Sequence, residues 1–213
     1  MYAAESEARP SLNAILAAAA AASGRPEIVN APTLFAGFSL GAFVSTEMAN
    51  HVCEWVVACV PQRGGSELNS ILPAASRGVP ILFMPGSEDS NGATEPSVMD
   101  TVFEGWRAQD GLSAFAMDWR TPHDTFVNQG WSLAWIWMAQ CLALRYPAGT
   151  LPGLDAGSPV PLNALALQSG WLGQRPYATT ADGSDFSAFV PIAPYASYVG
   201  DAGQASWLPN ETV

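Results

Sequence analysis

Residues 32–49 read PTLFAGFSLGAFVSTEMA, and the folding of this stretch decides the rest. Leu34, Phe35 and Ala36 form an apolar run of strand character, with the strand set at 33–37. A helix-compatible segment follows from Ala42 and is expected to run to about His51. Between the two stands Gly37-Phe38-Ser39-Leu40-Gly41. A serine between two glycines at a strand-to-helix junction is the signature of a nucleophile elbow, whose turn strains the serine backbone and exposes its hydroxyl at the end of the sheet. Glycine is expected at 37 and 41 because a Cβ there would collide with the neighbouring strand or helix. An ordinary serine in a tight βα turn is spelled with the same letters, so the flanking chain must decide.

Upstream, Ser11 after Pro10 can cap a helix reaching Ser23, where Gly24 and Pro26 stop it; residues 1–10 are expected to fray. Downstream, a strand at 55–60 closes at Pro61 and opens into a loop at Gly64-Gly65. A short helix over 66–77 leads to a buried strand over 80–84, bounded by Pro85-Gly86. Helical spacing over 97–109, a strand over 113–119 and an apolar helix over 131–146 follow. Four apolar strands alternating with helices predict an α/β fold: a mostly parallel sheet flanked by helices. Residues 1–146 form this core. Residues 147–213 are rich in Pro and Gly, with apolar islands at 161–173, 188–195 and 205–209, and read as an irregular wrap of the same domain.

A chain of 213 residues, 49% hydrophobic, suits one domain with a sizeable core. A net charge of −11, with eight Lys and Arg in no cluster, argues against nucleic acid and anionic membranes as partners. Cys59 and Cys141 sit in apolar runs and read as small hydrophobes. Without a Cys-x-x-Cys pair or a histidine cluster, neither a metal nor another cofactor is expected. Glu5, Glu7 and Arg9, with no basic region before them, argue against a signal peptide, and the apolar stretches are short for a membrane span. The expectation is a soluble, cytoplasmic chain.

Functional groups of open α/β sheets gather at the carboxyl ends of the strands. Ser39 follows the first strand, Gly86-Ser87-Glu88-Asp89 the third, and His123 the fourth. A serine hydroxyl is a weak nucleophile until an imidazole takes its proton, and a carboxylate fixes the tautomer of that imidazole. The chain holds two histidines. His51, twelve residues along the helix from Ser39, would be about 18 Å away and suits a helix C-terminus. His123 is therefore the candidate base. Asp89 is the candidate acid, with Glu88 its competitor and Asp118 and Asp124 behind; Asp118, inside the last strand, suits a structural or gating role. The Leu40 N–H, opening the helix, is aimed where an oxyanion would develop.

On these residues the chain resembles the serine α/β-hydrolases, closest to the esterase branch with feruloyl-esterase-like and polyhydroxyalkanoate-depolymerase-like enzymes. The order Ser39, Asp89, His123 is that family's order. The likeness covers residues 10–146 and does not extend to the tail. It implies a carboxylesterase that cleaves a small-molecule ester through an acyl-enzyme on Ser39. The family places several strands before the nucleophile, and an early loop supplies the second oxyanion donor. Here 32 residues precede the first strand, so the chain reads as a reduced or partial form of the fold, and Gly64 and Gly65 are candidates for the missing donor. Phe38, Trp119 and Phe126 could receive an apolar acyl group, although core packing explains them equally well. The strand at 33–37 should lie on an exposed sheet edge, covered by homo-oligomerisation or by the tail. A non-catalytic binding scaffold, or a peptidase or acyltransferase on the same three residues, are the alternatives.

Overall fold

The structure, a computed structural model, describes residues 5–65, 71–124, 130–147, 160–175 and 190–212. Four strands, β1 (Thr33–Phe38), β2 (Val56–Gln62), β3 (Ile81–Phe83) and β4 (Ser113–Phe115), form a parallel sheet in the order β1-β2-β3-β4. Helices α1 (Glu5–Ser23), α2 (Leu40–His51), α3 (Pro96–Arg107) and α4 (Gly130–Arg145) flank it. This is the expected α/β architecture.

Apolar residues cover both faces of the sheet. On one, Leu12 of α1, Met48 and Ala49 of α2, and Val102, Phe103 and Trp106 of α3 pack with Val56, Cys59, Ile81 and Phe83. On the other, Ala134, Trp137 and Met138 of α4 join Trp207 and Leu208 of the tail over Val57, Val60, Leu82 and Ala114. Every residue of β2 is buried, as a central parallel strand requires. Cys59 and Cys141 lie in these cores as free thiols, and burial pushes both above the usual thiol range.

The chain departs from expectation in several places, each with a physical reason. α1 starts at Glu5 and runs through Pro10, so residues 5–10 are helical rather than frayed. Pro10 forfeits one backbone donor, but Ala8 and Leu12 are buried on one helix face, and Arg9 pairs with Glu54 while lying over the Trp55 ring. Pro61 does not close β2. Having no N–H, it interrupts the ladder to β3 between the Cys59–Ile81 and Gln62–Met84 bridges, while its carbonyl accepts from the Met84 N–H at 3.0 Å. β4 is shorter than predicted, and beyond it a single bridge joins Gly86 to Asp118. Of the helix predicted over 66–77, residues 66–70 lie outside the described residues and 71–77 hold only a 3-10 turn, Ala74–Ser76.

The tail contains a second, antiparallel sheet of β5 (Trp171–Gly173), β6 (Ala193–Pro194) and β7 (Ser206–Leu208), in the order β6-β5-β7. β7 lies beside β4, where the Phe115 N–H donates to Ser206 Oγ at 2.9 Å. The described part of the tail thus covers the β4 side, not β1, which stays at the opposite edge. Among the described residues, no helix is long and apolar enough to cross a membrane.

Candidate active site

β1 delivers the chain into a turn at Ser39, whose φ of 54° and ψ of −122° put a non-glycine residue in a backbone region costing about 1–3 kcal/mol. Its neighbours enforce this. The Ser39 N–H donates to the Gln62 carbonyl at 3.0 Å, and the Ser39 carbonyl accepts from the Ala42 N–H at 2.9 Å. A Cβ at 37 would collide with the Gly41 carbonyl and the Ser45 hydroxyl. A Cβ at 64 would stand 2.7 Å from the Ser39 carbonyl oxygen. At Gly41, by contrast, a Cβ would meet nothing within 4 Å, so the second glycine of the elbow is not sterically required, contrary to the sequence reading.

Three candidate residues come together at the carboxyl rim of the sheet. Ser39 Oγ lies 2.9 Å from His123 Nε2, and His123 Nδ1 lies 2.8 Å from Asp89 Oδ2. An ionised carboxylate can only accept, so the imidazole proton belongs on Nδ1 and Nε2 is left to accept from the serine hydroxyl. The Asp89 side chain is fully buried and that of His123 is 15% exposed. Burying a carboxylate is costly unless its oxygens are bonded. Here Oδ2 takes the imidazole, and Oδ1 accepts from the Asn91 N–H at 3.0 Å and from the Thr94 hydroxyl at 2.9 Å. Thr94 Oγ1 also stands 3.1 Å from His123 Nδ1, touching both partners.

The remaining candidates fall elsewhere. Glu88 is exposed, as is Asp124. Asp118 is paired with Arg63 at 3.0 Å. His51 is paired with Glu47 on α2 at 3.3 Å. Leu40 opens α2, so its N–H has no intrahelical acceptor, and its side chain is exposed. The Phe38 ring lies 5.4 Å from the imidazole. Gly64 backs onto the main chain of the elbow, and Gly65 onto the Phe83 ring. Trp119 is exposed; Phe126 lies outside the described residues. An apolar cavity of about 180 Å³, lined by Leu82, Ala116, Leu133, Trp137, Ile192 and Leu208 among others, includes none of the three convergent residues. Among the described residues, no cluster of three or more His, Cys, Asp or Glu is placed to hold a metal ion.

Sequence reasoning missed Thr94 and Arg63. An Asp followed two residues later by Asn-Gly signals an Asx-type turn, which could have placed Thr94 near the acid. An arginine ending an apolar strand at Gln62-Arg63-Gly64 is a weaker hint that a buried cation needs partners.

No protein-family model matches the chain, and no curated protein does. Among solved structures it is similar to the crystal structure of esterase PE8, at 20% identity with a TM-score of 0.47 over 65% of this chain. The match spans 62% of that esterase, less than two thirds of its length.

Proposed function

We propose that the chain is a serine hydrolase of the carboxylesterase type, with Ser39 as nucleophile, His123 as general base and then acid, and Asp89 as the orienting carboxylate. The observation that carries this reading is the unbroken run of hydrogen bonds from Ser39 Oγ through both nitrogens of His123 to a buried Asp89. Nε2 takes the hydroxyl proton as Oγ bonds to the ester carbonyl carbon, and the charge that forms on the carbonyl oxygen faces the Leu40 N–H. The imidazolium, stabilised by Asp89, then gives its proton to the departing alkoxide, leaving an acyl-enzyme and an alcohol. Water repeats the sequence: Nε2 takes its proton, its oxygen attacks the acyl carbon, and Oγ leaves with the proton to release the acid. The Gly64-Gly65 loop, packed against the elbow, is the proposed source of a second oxyanion donor. The substrate is a small-molecule ester, with Phe38 beside the base on the acyl path.

The experiment is covalent. A fluorophosphonate probe should label the wild-type chain at Ser39, and Ser39→Ala should lose both the label and p-nitrophenyl ester turnover. Label that persists in the alanine variant removes Ser39 from the mechanism.

A further inference from the structure

A buried residue outside the three reaches the main chain of the base itself. Arg63 leaves β2 with a φ of 46°, and its side chain is 1% exposed. One terminal nitrogen of its guanidinium donates to the His123 carbonyl oxygen at 3.0 Å, and the other donates to Asp118 Oδ2 at 3.0 Å. The same group lies over the Phe38 ring at 5.3 Å, and that ring flanks the imidazole. The loop it grips is laced to the turn bearing the acid: Ser87 N–H donates to the Asp118 carbonyl at 2.9 Å, and Glu88 N–H to the Thr121 carbonyl at 3.2 Å. Gly86 permits this approach, since a Cβ there would collide with the Thr121 carbonyl and stand 3.1 Å from Arg63 Nε.

We propose that Arg63 is a positioning residue for His123, clamping the base-bearing loop 118–123 onto the sheet rim while Asp118 neutralises its charge beside the imidazole. The planar fork is what a lysine lacks: two parallel donors at fixed spacing reach a carbonyl and a carboxylate at once. The electrostatic half follows from the pairing. The charged groups on the elements around the imidazole are Asp89, Arg63 and Asp118, with Glu88, Arg120 and Asp124 exposed at the rim. Arg63 and Asp118 carry opposite charges 3.0 Å apart, so each offsets the other toward neighbouring groups. Removing one leaves the other to act.

The kinetic consequence rests on the serine-hydrolase reading; the electrostatic one does not, so it is measured first. The His123 imidazole is titrated by NMR, with His51→Gln used to assign the two histidines. In D118N the uncompensated guanidinium disfavours the imidazolium, so the midpoint should fall by about one pH unit. In R63M the uncompensated carboxylate favours it, so the midpoint should rise by a similar amount. R63K keeps the cation and should leave the midpoint in place, yet lower kcat by about 10- to 100-fold with KM within about twofold, because the loop loses its anchor. Midpoints that stay fixed in D118N, or move the same way in D118N and R63M, overturn the proposal, as does R63K with wild-type kcat. D118N and R63K conserve volume and polarity and decide the matter alone if R63M fails to fold. A wild-type chain that takes no fluorophosphonate label would defeat the hydrolase reading, while the titration still judges Arg63.

Discussion

At the rim of the parallel sheet, Arg63 donates to the His123 carbonyl and to Asp118; where the tail meets α3, Arg107 donates to the carbonyls of Ala202 at 2.6 Å, Ala205 at 2.8 Å and Gly111 at 2.8 Å. Both side chains are buried and both close long loops of chain. The surroundings differ. Arg63 stands in a polar chain that runs through His123 to Ser39 and Asp89. Arg107 meets carbonyls, and burial lowers the pKa of its guanidinium despite the opposing pull of Tyr195 and Asp110. Beside it, Arg175 pairs with Asp100 and Glu104, and Trp207 is fully buried against Leu167 and the β4 side of the core. Similar donors thus hold the loop of the proposed base in one region and a packed edge in the other. On the proposed function, isosteric substitutions in the hydrogen-bonded run Asp89–His123–Ser39 should cost activity with little stability, and truncations in the tail the reverse.

The sharpest way to break this contrast is Asp89→Asn. The amide matches the carboxylate in shape and can keep bonds to Thr94 and Asn91, but its NH₂ favours the wrong tautomer of His123. The expected loss in kcat is about 10⁴-fold with a melting temperature close to wild type, read from ester turnover beside thermal unfolding. A variant that unfolds as it loses activity would erase the distinction between the two regions.

Trp207→Ala tests the other side. Its ring fills the space at Gly170, where a Cβ would collide with the indole, and its Nε1 donates to the Leu167 carbonyl at 3.2 Å. Truncation should destabilise the fold by about 3–5 kcal/mol, lowering the melting temperature by roughly 10 °C. Turnover per folded molecule should stay within about threefold of wild type. A matching fall in kcat would show that the tail reaches the chemistry after all.

The same contrast explains what could be read from the sequence. β1, β3, α2, α3 and α4 follow from local apolar runs and from Gly and Pro punctuation, and Ser39, Asp89 and His123 from their places after strand ends. Local pattern is sufficient there because each residue's position depends on its own strand. Thr94 reaches Asp89 through a local turn, but its approach to His123 and that of Arg63 to the His123 carbonyl span 29 and 60 residues, and no local pattern encodes such distances. Pro61 misled because its carbonyl still serves the ladder after its N–H is lost. The tail strands are three residues or fewer, too short for a period to show.

Within the rim itself, the two glycines around Ser39 make the smallest and most discriminating test. Both belong to the elbow motif, yet only Gly37 is held against another group, the Gly41 carbonyl and the Ser45 hydroxyl. Gly41 lies in the first turn of α2, outside the positive-φ region, and a Cβ there points into open space. Alanine removes backbone freedom from the unfolded chain without a clash, so Gly41→Ala should stabilise the protein by about 0.5–1 kcal/mol, seen as a small rise in melting temperature. Fluorophosphonate labelling of Ser39 should proceed at the wild-type rate, because the added methyl touches no group that fixes the serine backbone. Slower labelling with unchanged stability would mean that the open space beside Gly41 is where the substrate sits, and that the second glycine of the motif serves the ligand rather than the turn.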